Sequence, residues 1–387
     1  MDFELSEEQR LLVDSARAFA AAELAPHAAD WDRDHHFPVD VIKRAAQQGF
    51  LSLYISEEDG GLGLSRLTSS LIFEQLSAGC VATAAFMTIH NMASNMLACF
   101  GDETLKSQWL PRLISGELLA SYCLTEPDAG SDAARLRTRA RREGDEYVLD
   151  GSKCFISGAG SSDVLIVMAR TGEDGAKGIS CFLVPGDTPG VKYGRNELKM
   201  GWRSQPTRTI TFEGARIPAG NRIGPEGQGF VYAMKGLDGG RLNIASCSLG
   251  AAQAALEQSL RYVEERKQFG KALSEFQALQ FKLADMFTDL TASRQMVRMA
   301  AAKLDIQHPE ATLFCAMAKR FATDHCFDLC NQALQLHGGY GYLNDYPLER
   351  WVRDSRVHQI LEGTNEIMRV ITARRLLEQG GMLDNLL

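Results

Sequence analysis

The sequence has no excess of positive charge and no long apolar run, and each absence excludes a class of protein. Its 387 residues include 41 lysines and arginines against 49 aspartates and glutamates, a formal net charge of −8. Such a chain has no general attraction for nucleic acid or for an anionic membrane surface. No apolar run reaches the roughly 20 residues that span a bilayer. The opening MDFELSEEQR lacks the basic region of a secretory or transit signal, which predicts a bacterial cytoplasmic chain or a mature mitochondrial one.

The motifs of several enzyme classes are also missing. The chain has no GxGxxG after a strand-like segment and no GxxxxGK[ST], HExxH or GxSxG. A Rossmann dehydrogenase, a P-loop enzyme, a zincin and an α/β-hydrolase are therefore not expected. Its nine cysteines form no CxxC pair. The closest two, Cys326 and Cys330, are predicted to be small buried side chains on one helix face, in a reducing compartment, with no metal between them.

Three zones of different character follow one another. Residues 1–118 show helical periodicity and predict an N-terminal α-helical domain. Residues 119–229 are rich in glycine, proline and short β-forming runs such as DVLIVMAR, and predict a compact central β-barrel domain. Residues 230–387 return to long helical periods and predict a C-terminal four-helix bundle. The predicted fold class is α+β and mostly α, because helix–sheet–helix order argues against a doubly wound sheet.

Local signals predict several helices of the first zone. Residues 6–9, SEEQ, form a capping box at a helix start. Pro38 is predicted to open a second helix that ends at Gly49. Two further amphipathic helices are expected near 66–79 and 82–100.

One acidic residue stands in an unusual place, in the segment QILEGTNEIMR at 359–369. Glu362 follows two apolar residues and precedes Gly363. A carboxylate is costly to bury without compensation. The simpler interpretation is a surface acid ahead of a helix whose N-cap is Thr364 or Asn365, because acids are favoured near helix N-termini. These residues alone favour that interpretation.

Four other segments carry groups that suit a cofactor or a substrate. The loop 122–133, YCLTEPDAGSDA, offers hydroxyls and backbone N–H groups to an anion or a ring, or to its own turns. In KCFIS, residues 153–157, an aromatic and a hydroxyl share a strand face, as in a cofactor site or an ordinary core edge. Arg241 is predicted to open a long helix, either in an ion pair or facing a substrate carbonyl. Arg266 and the glycines of 335–342 suit pyrophosphate, although HGGYG is also typical of a helix end.

Two of these regions are similar to the signatures of one family. YCLTEPDAGSDA resembles the first signature of the acyl-CoA dehydrogenases, and QALQLHGGYGYLNDYPLERWVRDSRVHQILEGTNEIMR resembles the second. The resemblance covers essentially the whole chain, and the order of the zones agrees with the fold of that family. It implies an FAD-dependent oxidoreductase that removes a Cα proton and a Cβ hydride from an acyl-CoA thioester.

The resemblance also implies the contacts of cofactor and substrate. FAD would lie between the β-domain and the bundle, partly across a dimer contact, with Arg266, Phe276 and Gln277 reaching the neighbouring subunit. Many members have Trp and Thr where Phe155 and Ser157 stand. The residues implied in FAD binding are Tyr122, Leu124, Thr125, Gly130, Ser131, Phe155, Ile156, Ser157, Arg266, Gln268, Phe269, Phe276, Gln277, Gln335, Leu336, Gly338, Gly339, Thr364 and Glu366. Those implied in acyl-CoA binding are Ser131, Asp238, Arg241, Leu361, Gly363 and Arg374.

Within the resemblance, Glu362 matches the catalytic base of the family. A base beside a flavin must be ionised yet poorly solvated, and apolar neighbours raise its pKa toward neutrality. Gly363 lets the backbone approach the thioester closely. Some relatives carry the base just before the bundle arginine, where this chain has Gly240, so only Glu362 remains.

The resemblance further implies a homotetramer, a dimer of dimers, that passes electrons to electron-transferring flavoprotein. The segments MGWRSQPTRTITFE, GLDGGRLNIASCSLGAA and WVRDSRVHQILEGTNEIMR are most similar to members that act on short α-branched substrates in valine breakdown, with isobutyryl-CoA first. Three alternatives stay open. The first is a dehydrogenase that prefers another short-chain or 2-methyl-branched acyl-CoA, the second is an acyl-CoA oxidase that reduces oxygen, and the third is a non-enzymatic helical scaffold of the same fold.

Overall fold

The computed structural model describes residues 4–378, so the outer ends of the first and third predicted domains lie outside the described residues. Ser6 begins the first helix as predicted: its hydroxyl accepts from the Gln9 backbone N–H, and the Gln9 side chain accepts from the Ser6 N–H. The helices of the N-terminal segment are α1 Glu7–Phe19, α2 Ala28–Asp34, α3 Val39–Gln47, α4 Arg66–Gly79, α5 Val81–Phe100 and α6 Glu103–Ile114.

Two of these helices have no counterpart in the sequence prediction. Helix α2 is only seven residues long, too short for an apolar period to be visible. Helix α6 contains Pro111 near its end, and proline normally argues against a helix interior. The helix predicted after Pro38 is confirmed as α3, and it ends before Gly49, whose φ of +80° is a conformation that glycine adopts easily.

The central segment folds into one eight-stranded sheet with the order β6-β7-β3-β2-β4-β5-β8, with β1 paired in parallel to β4. Strand β4 is buried along its whole length because side chains of one face contact a core inside the sheet and those of the other face contact the helices. The predicted strand segment KCFIS is the last part of one longer continuous strand that begins at Glu146. The strands are β1 Ala120–Cys123, β2 Arg139–Glu143, β3 Glu146–Ser157, β4 Val164–Arg170, β5 Ile179–Pro185, β6 Val191–Tyr193, β7 Thr207–Pro218 and β8 Arg222–Ile223.

The C-terminal segment consists of long helices joined by short turns. A two-stranded hairpin, β9 Lys267–Gln268 and β10 Lys271–Ala272, separates the first two helices. Helices α7, α8 and α9 pack against one another, α10 and α11 pack on α9, and α4 covers α7 and α8. The helices are α7 Gly229–Glu265, α8 Gln277–Asp305, α9 Ala311–Leu336, α10 Leu348–Arg356 and α11 Asn365–Glu378.

The long helix α7 corrects one prediction. Arg241 was expected to open a helix after a turn at 238–241, but α7 begins twelve residues earlier, at Gly229. The helix runs through Gly239 and Gly240 without a break. Tertiary contacts outweigh the roughly 1 kcal/mol that each glycine costs a helix. The side chain of Arg241 is consequently buried within the helix packing instead of standing at an exposed end.

The N-terminal and C-terminal helices share one hydrophobic core. Residues of α1, α3, α4 and α5 form a single buried cluster with residues of α7, α8 and α9. The order helix, sheet, helix confirms the predicted fold class. Within 4–378, no helix has both the length and the apolar character that a membrane crossing requires.

Candidate active site

Glu362 lies in a short loop between α10 and α11, and its backbone is strained. Its φ is +55° and that of the following Gly363 is +88°, so two successive residues are left-handed. The hydroxyl of Thr364 accepts from the Ile367 N–H at 3.3 Å, which identifies Thr364 as the N-cap of α11. The interpretation of Glu362 as a surface acid is wrong, because its Oε2 is buried and has no hydrogen-bond partner among residues 4–378.

The carboxylate of Glu362 packs against a helix position where any side chain would displace it. A methyl group on Gly240 of α7 would lie 2.5 Å from Glu362 Oε2 and 3.0 Å from the sulfur of Met92 on α5. Both distances are shorter than an ordinary van der Waals contact. Gly240, which cannot itself serve as a base, therefore provides the space in which the base stands.

Burial dominates the electrostatics of this carboxylate. Loss of solvation raises the pKa of Glu362 from 4.5 to about 7, while the positive charges of Arg241 and Lys319 act in the opposite direction. A carboxylic acid with such a pKa is partly ionised at neutral pH and accepts a proton readily. These are the properties that general-base catalysis requires of the group.

Arg241 is held in an ion pair and also reaches the Glu362 loop. Its Nη1 donates to Asp238 Oδ1 at 2.6 Å, and Thr312 Oγ1 donates to Asp238 Oδ2 at 2.6 Å. Its Nε lies 3.5 Å from the carbonyl oxygen of Glu362. The structure thus shows the ion pair, the first of the two alternatives, and places Arg241 beside the Glu362 loop; a contact with a substrate carbonyl stays a prediction.

Sequence reasoning missed three further residues around the base. Lys319 of α9 is fully buried and donates to the Gly363 carbonyl at 2.8 Å. The guanidinium of Arg66 lies 3.5 Å above the ring of Tyr54, next to Gly239. The one available signal was Lys319 itself, a lone lysine in the apolar run CAMAKRFA, because lysine is almost never fully buried without a partner.

On the β-domain, the first signature loop lies beside the end of β3. The Cys154 N–H donates to the Thr125 carbonyl at 2.9 Å, which joins the two predicted flavin-binding segments. Phe155 has a φ of +59° at a register shift and exposes 71% of its surface, so a flat apolar ring faces outward. Ile156 is buried in the core of the sheet, so only its backbone is available to a ligand.

A second group of predicted FAD residues surrounds a cavity at the end of the bundle. The cavity measures about 490 Å³. A methyl group added to Gly338 or Gly339 would meet no atom within 4 Å, so both glycines border open space. The lining residues are Tyr262, Arg266, Gln268, Leu273, Leu336, His337, Gly338, Gly339, Tyr340 and Leu343.

These surfaces fit an elongated cofactor that is aromatic at one end and polar at the other. An exposed phenyl ring and the orphaned hydroxyl of Tyr122 lie on the β-domain side. The cavity of the bundle offers the guanidinium of Arg266 and open glycine backbone, which suit phosphate. Phe269 is 93% exposed, and Phe276 and Gln277 stand at the start of α8, outside the residues that line this cavity.

Three of the predicted contacts lie on the surface, away from the buried carboxylate. Ser131 and Arg374 are exposed. Glu366 is also exposed and lies 3.5 Å from Arg369 in an ion pair. Any ligand that these side chains contact must extend along the outside of the protein.

The fold and the site define a helix–sheet–helix protein whose candidate base has a carboxylate oxygen that is buried and without a hydrogen-bond partner among residues 4–378. Comparison with known proteins gives a consistent result. The acyl-CoA dehydrogenase N-terminal, middle and C-terminal domains match residues 6–117, 121–215 and 227–377. The chain therefore belongs to the acyl-CoA dehydrogenase family. It is an FAD-dependent oxidoreductase that dehydrogenates acyl-CoA thioesters.

Individual relatives cover nearly the whole chain. It is 54% identical to isobutyryl-CoA dehydrogenase, mitochondrial, of Bos taurus, over 97% of this chain and 90% of the relative. It is 52% identical to the protein of the same name in Dictyostelium discoideum, over 96% of this chain and 90% of the relative. Among solved structures, butyryl-CoA dehydrogenase of Megasphaera elsdenii matches with a TM-score of 0.95 and 38% identity, over 97% of this chain and 100% of that chain.

Proposed function

We propose that the chain oxidises short α-branched acyl-CoA thioesters, with isobutyryl-CoA as the preferred substrate. The observation that carries this proposal is its identity of more than half to two relatives named for isobutyryl-CoA. The surroundings of the candidate base support a short acyl group. Tyr54, stacked under Arg66 and hydrogen-bonded by Asn243 at 3.3 Å, places bulky polar groups beside the same helix that faces the carboxylate.

Glu362 is the catalytic base in this proposal. Its carboxylate takes the proton from the substrate Cα, and the electron pair of that C–H bond forms the Cα–Cβ double bond. When bound, FAD supplies the acceptor for the hydride that leaves Cβ. The backbone N–H of Glu362 would donate to the thioester carbonyl oxygen and stabilise the negative charge that develops there. Burial keeps water from competing for the reacting carbon.

The cofactor would be held by the two surfaces described above. The loop that contains Thr125 and the end of β3 with Phe155 and Ser157 would contact the flavin ring. Arg266 would contact the pyrophosphate of the FAD in the neighbouring subunit, and the backbone at Gly338 and Gly339 would contact the adenosine side. Arg241 would orient the Glu362 loop from α7, since its guanidinium already lies beside the Glu362 carbonyl.

Replacement of the base tests the proposed mechanism. Glu362→Gln is expected to retain FAD and to bind acyl-CoA, yet to lose flavin reduction by orders of magnitude, because an amide does not accept the proton. Anaerobic stopped-flow measurement of flavin bleaching after mixing with substrate provides the assay. Bleaching at the native rate would refute the role of Glu362.

A substrate panel tests the proposed preference. One methylene in an apolar pocket is worth about 1–3 kcal/mol, so the preference among short chains should be graded. Isobutyryl-CoA should have the highest kcat/KM, 2-methylbutyryl-CoA and butyryl-CoA should react more slowly, and octanoyl-CoA should be very poor. A highest kcat/KM for octanoyl-CoA or isovaleryl-CoA would refute the preference and leave the family unaffected.

We further propose a homotetramer that delivers its electrons to electron-transferring flavoprotein, in a bacterial cytoplasm or a mitochondrial matrix. Large apolar side chains on the bundle surface support assembly, among them Phe269, Phe281, Phe287 and Ile306, each at least 60% exposed. Slow reoxidation of the reduced protein by air, together with fast oxidation by electron-transferring flavoprotein, would separate this function from that of an oxidase. Gel filtration with light scattering measures the assembly.

A further inference from the structure

Lys319 is a buried lysine with no carboxylate in ion-pair contact among the described residues. It lies in the middle of α9 with no exposed surface. Its Nζ donates to the carbonyl of Gly363 and to Asn365 Oδ1, each at 2.8 Å. Within residues 4–378 no acidic oxygen lies within 4.0 Å of this ammonium, in contrast to buried Lys153, which is paired with Glu126. Burial of a charge against neutral acceptors alone is costly, so the position calls for a physical reason.

The two acceptors belong to the loop that carries the base. Glu362 and Gly363 are both left-handed, a conformation that costs a non-glycine residue of the order of 1 kcal/mol or more and persists only where contacts hold it. Lys319 binds the carbonyl directly after Glu362. It also binds Asn365, whose Nδ2 donates to Thr323 Oγ1 at 2.9 Å and Asp324 Oδ1 at 2.6 Å. One face of α9 therefore clamps the backbone around the base.

The charge of Lys319 also acts on the base. When protonated, Lys319 lowers the pKa of Glu362, against the larger effect of burial. Burial lowers the pKa of Lys319 itself to about 7, so its charge is fully present only below neutral pH, on the acid side of the pH profile. The other charged or titratable groups that face either residue are Arg241 on α7, Asp324 on α9, Glu366 on α11, Tyr122 on β1, Tyr54 and His358. Arg241 is already paired with Asp238 at 2.6 Å. Lys319 is thus the cation near Glu362 that has no closer acid to neutralise it among the described residues.

We propose that Lys319 is a positioning residue for the base: it fixes the backbone of residues 363–365 so that the Glu362 carboxylate stands against Gly240, and its charge keeps that carboxylate available as the anion. The inference rests on the proposed role of Glu362. It assigns to α9, a helix outside the two signature loops, a direct part in setting the geometry and the protonation of the site.

The experiment compares three variants of the holoenzyme. Lys319→Met removes the charge and both hydrogen bonds, Lys319→Arg keeps the charge, and Asn365→Ala removes one acceptor and leaves the charge. The matched control is Lys282→Met, since Lys282 of α8 donates to Gln332 at 2.6 Å. Each protein is characterised by its Tm, its FAD content and the pH dependence of single-turnover flavin reduction by isobutyryl-CoA.

Position and charge should separate in these data. Lys319→Met should slow flavin reduction by roughly 10–100-fold with little change in KM, because displacement of a reacting group by about 1 Å has effects of that size. The acid limb of its pH profile, where the rate falls as Glu362 becomes protonated, should move to higher pH by about one unit, since an opposite charge is lost. Asn365→Ala should slow the reaction with the limb unmoved. Lys319→Arg should keep the limb at its native pH or lower, because arginine stays charged at every pH of the profile. Infrared titration of the Glu362 carboxyl band, identified by its loss in Glu362→Gln, should show the same shift without substrate.

Several outcomes would overturn the proposal. An unmoved limb and carboxyl band in Lys319→Met, or a native rate in Asn365→Ala, would each do so. If Lys319→Met does not fold, a limb displaced to higher pH in Lys319→Arg, or a native rate in Asn365→Ala, still refutes it. Full activity of Glu362→Gln would instead refute the proposed base, so failure of the two proposals can be distinguished.

Discussion

Gly240→Ala is expected to lower the activity of this enzyme strongly while leaving its stability nearly unchanged. The new methyl group would lie 2.5 Å from Glu362 Oε2, whereas ordinary contact begins at 3.4 Å, so the carboxylate must retreat by about 0.9 Å, the difference of the two distances. The atom that moves is the end of a flexible side chain, so the conflict is relieved without a shift of backbone. Alanine also favours a helix over glycine by about 1 kcal/mol.

The consequence for catalysis is larger than that for folding. A displacement of about 1 Å at a reacting group lowers a rate by roughly 100-fold. We therefore expect flavin reduction by isobutyryl-CoA to fall by about two orders of magnitude, with FAD content unchanged and Tm within a few degrees of the native value. Stopped-flow reduction and thermal unfolding followed by circular dichroism measure the two effects.

Gly220→Ala serves as the control for the substitution itself. A methyl group on Gly220 would meet no atom within 4 Å. This variant should match the native protein in both assays. If Gly240→Ala reduced its flavin at the native rate, the carboxylate would not need the position in which the structure places it, and the reasoning from Gly240 would be refuted.

Three further predictions concern pH, domain packing and the cofactor. The rate of flavin reduction should fall as the pH drops below about 7, the raised pKa of Glu362. This raised pKa destabilises the native state by an amount that grows as the pH rises from 4.5 to about 7, so Glu362→Gln should raise Tm most above neutral pH, less at mildly acidic pH and not at or below pH 4.5, as measured by calorimetry. Arg353→Ala should lower the free energy of unfolding by about 3–5 kcal/mol in urea titrations, because it leaves two partly buried carboxylates without their partner. In the native protein, Asp32 Oδ2 lies 2.7 Å from Arg353 Nη2 and Glu349 Oε2 lies 2.5 Å from Arg353 Nε. A smaller effect would show that these carboxylates stay solvated. Arg266→Ala should lower FAD retention and tetramer content together, and a fully yellow tetramer on gel filtration would contradict the proposed cross-subunit contact.

The local order of elements was predictable because it depends on near neighbours in the chain. The capping box at Ser6 and the helix end at Gly49 follow from backbone groups a few residues apart, and both are confirmed. The family followed from two long signatures. Prediction failed where a local rule was overridden by packing, as at Gly239 and Gly240, which come just before the predicted helix start at Arg241 and lie inside α7. It also missed helix α6, which tolerates Pro111 near its end.

The sequence by itself determined the succession of helices and strands, the family and the identity of the candidate base, because these are written in periodicity and in contiguous motifs. Only the tertiary structure decided how that base is used. The environment of Glu362 comes from Gly240 and Lys319, which are distant in sequence and meet through the packing of α7 and α9. Burial, and with it the raised pKa, depends on atoms from several helices at once. A local sequence pattern does not show the combined effect of atoms from distant segments. Glu362, which its own segment predicts to be a surface acid, therefore has a buried carboxylate oxygen in the folded protein.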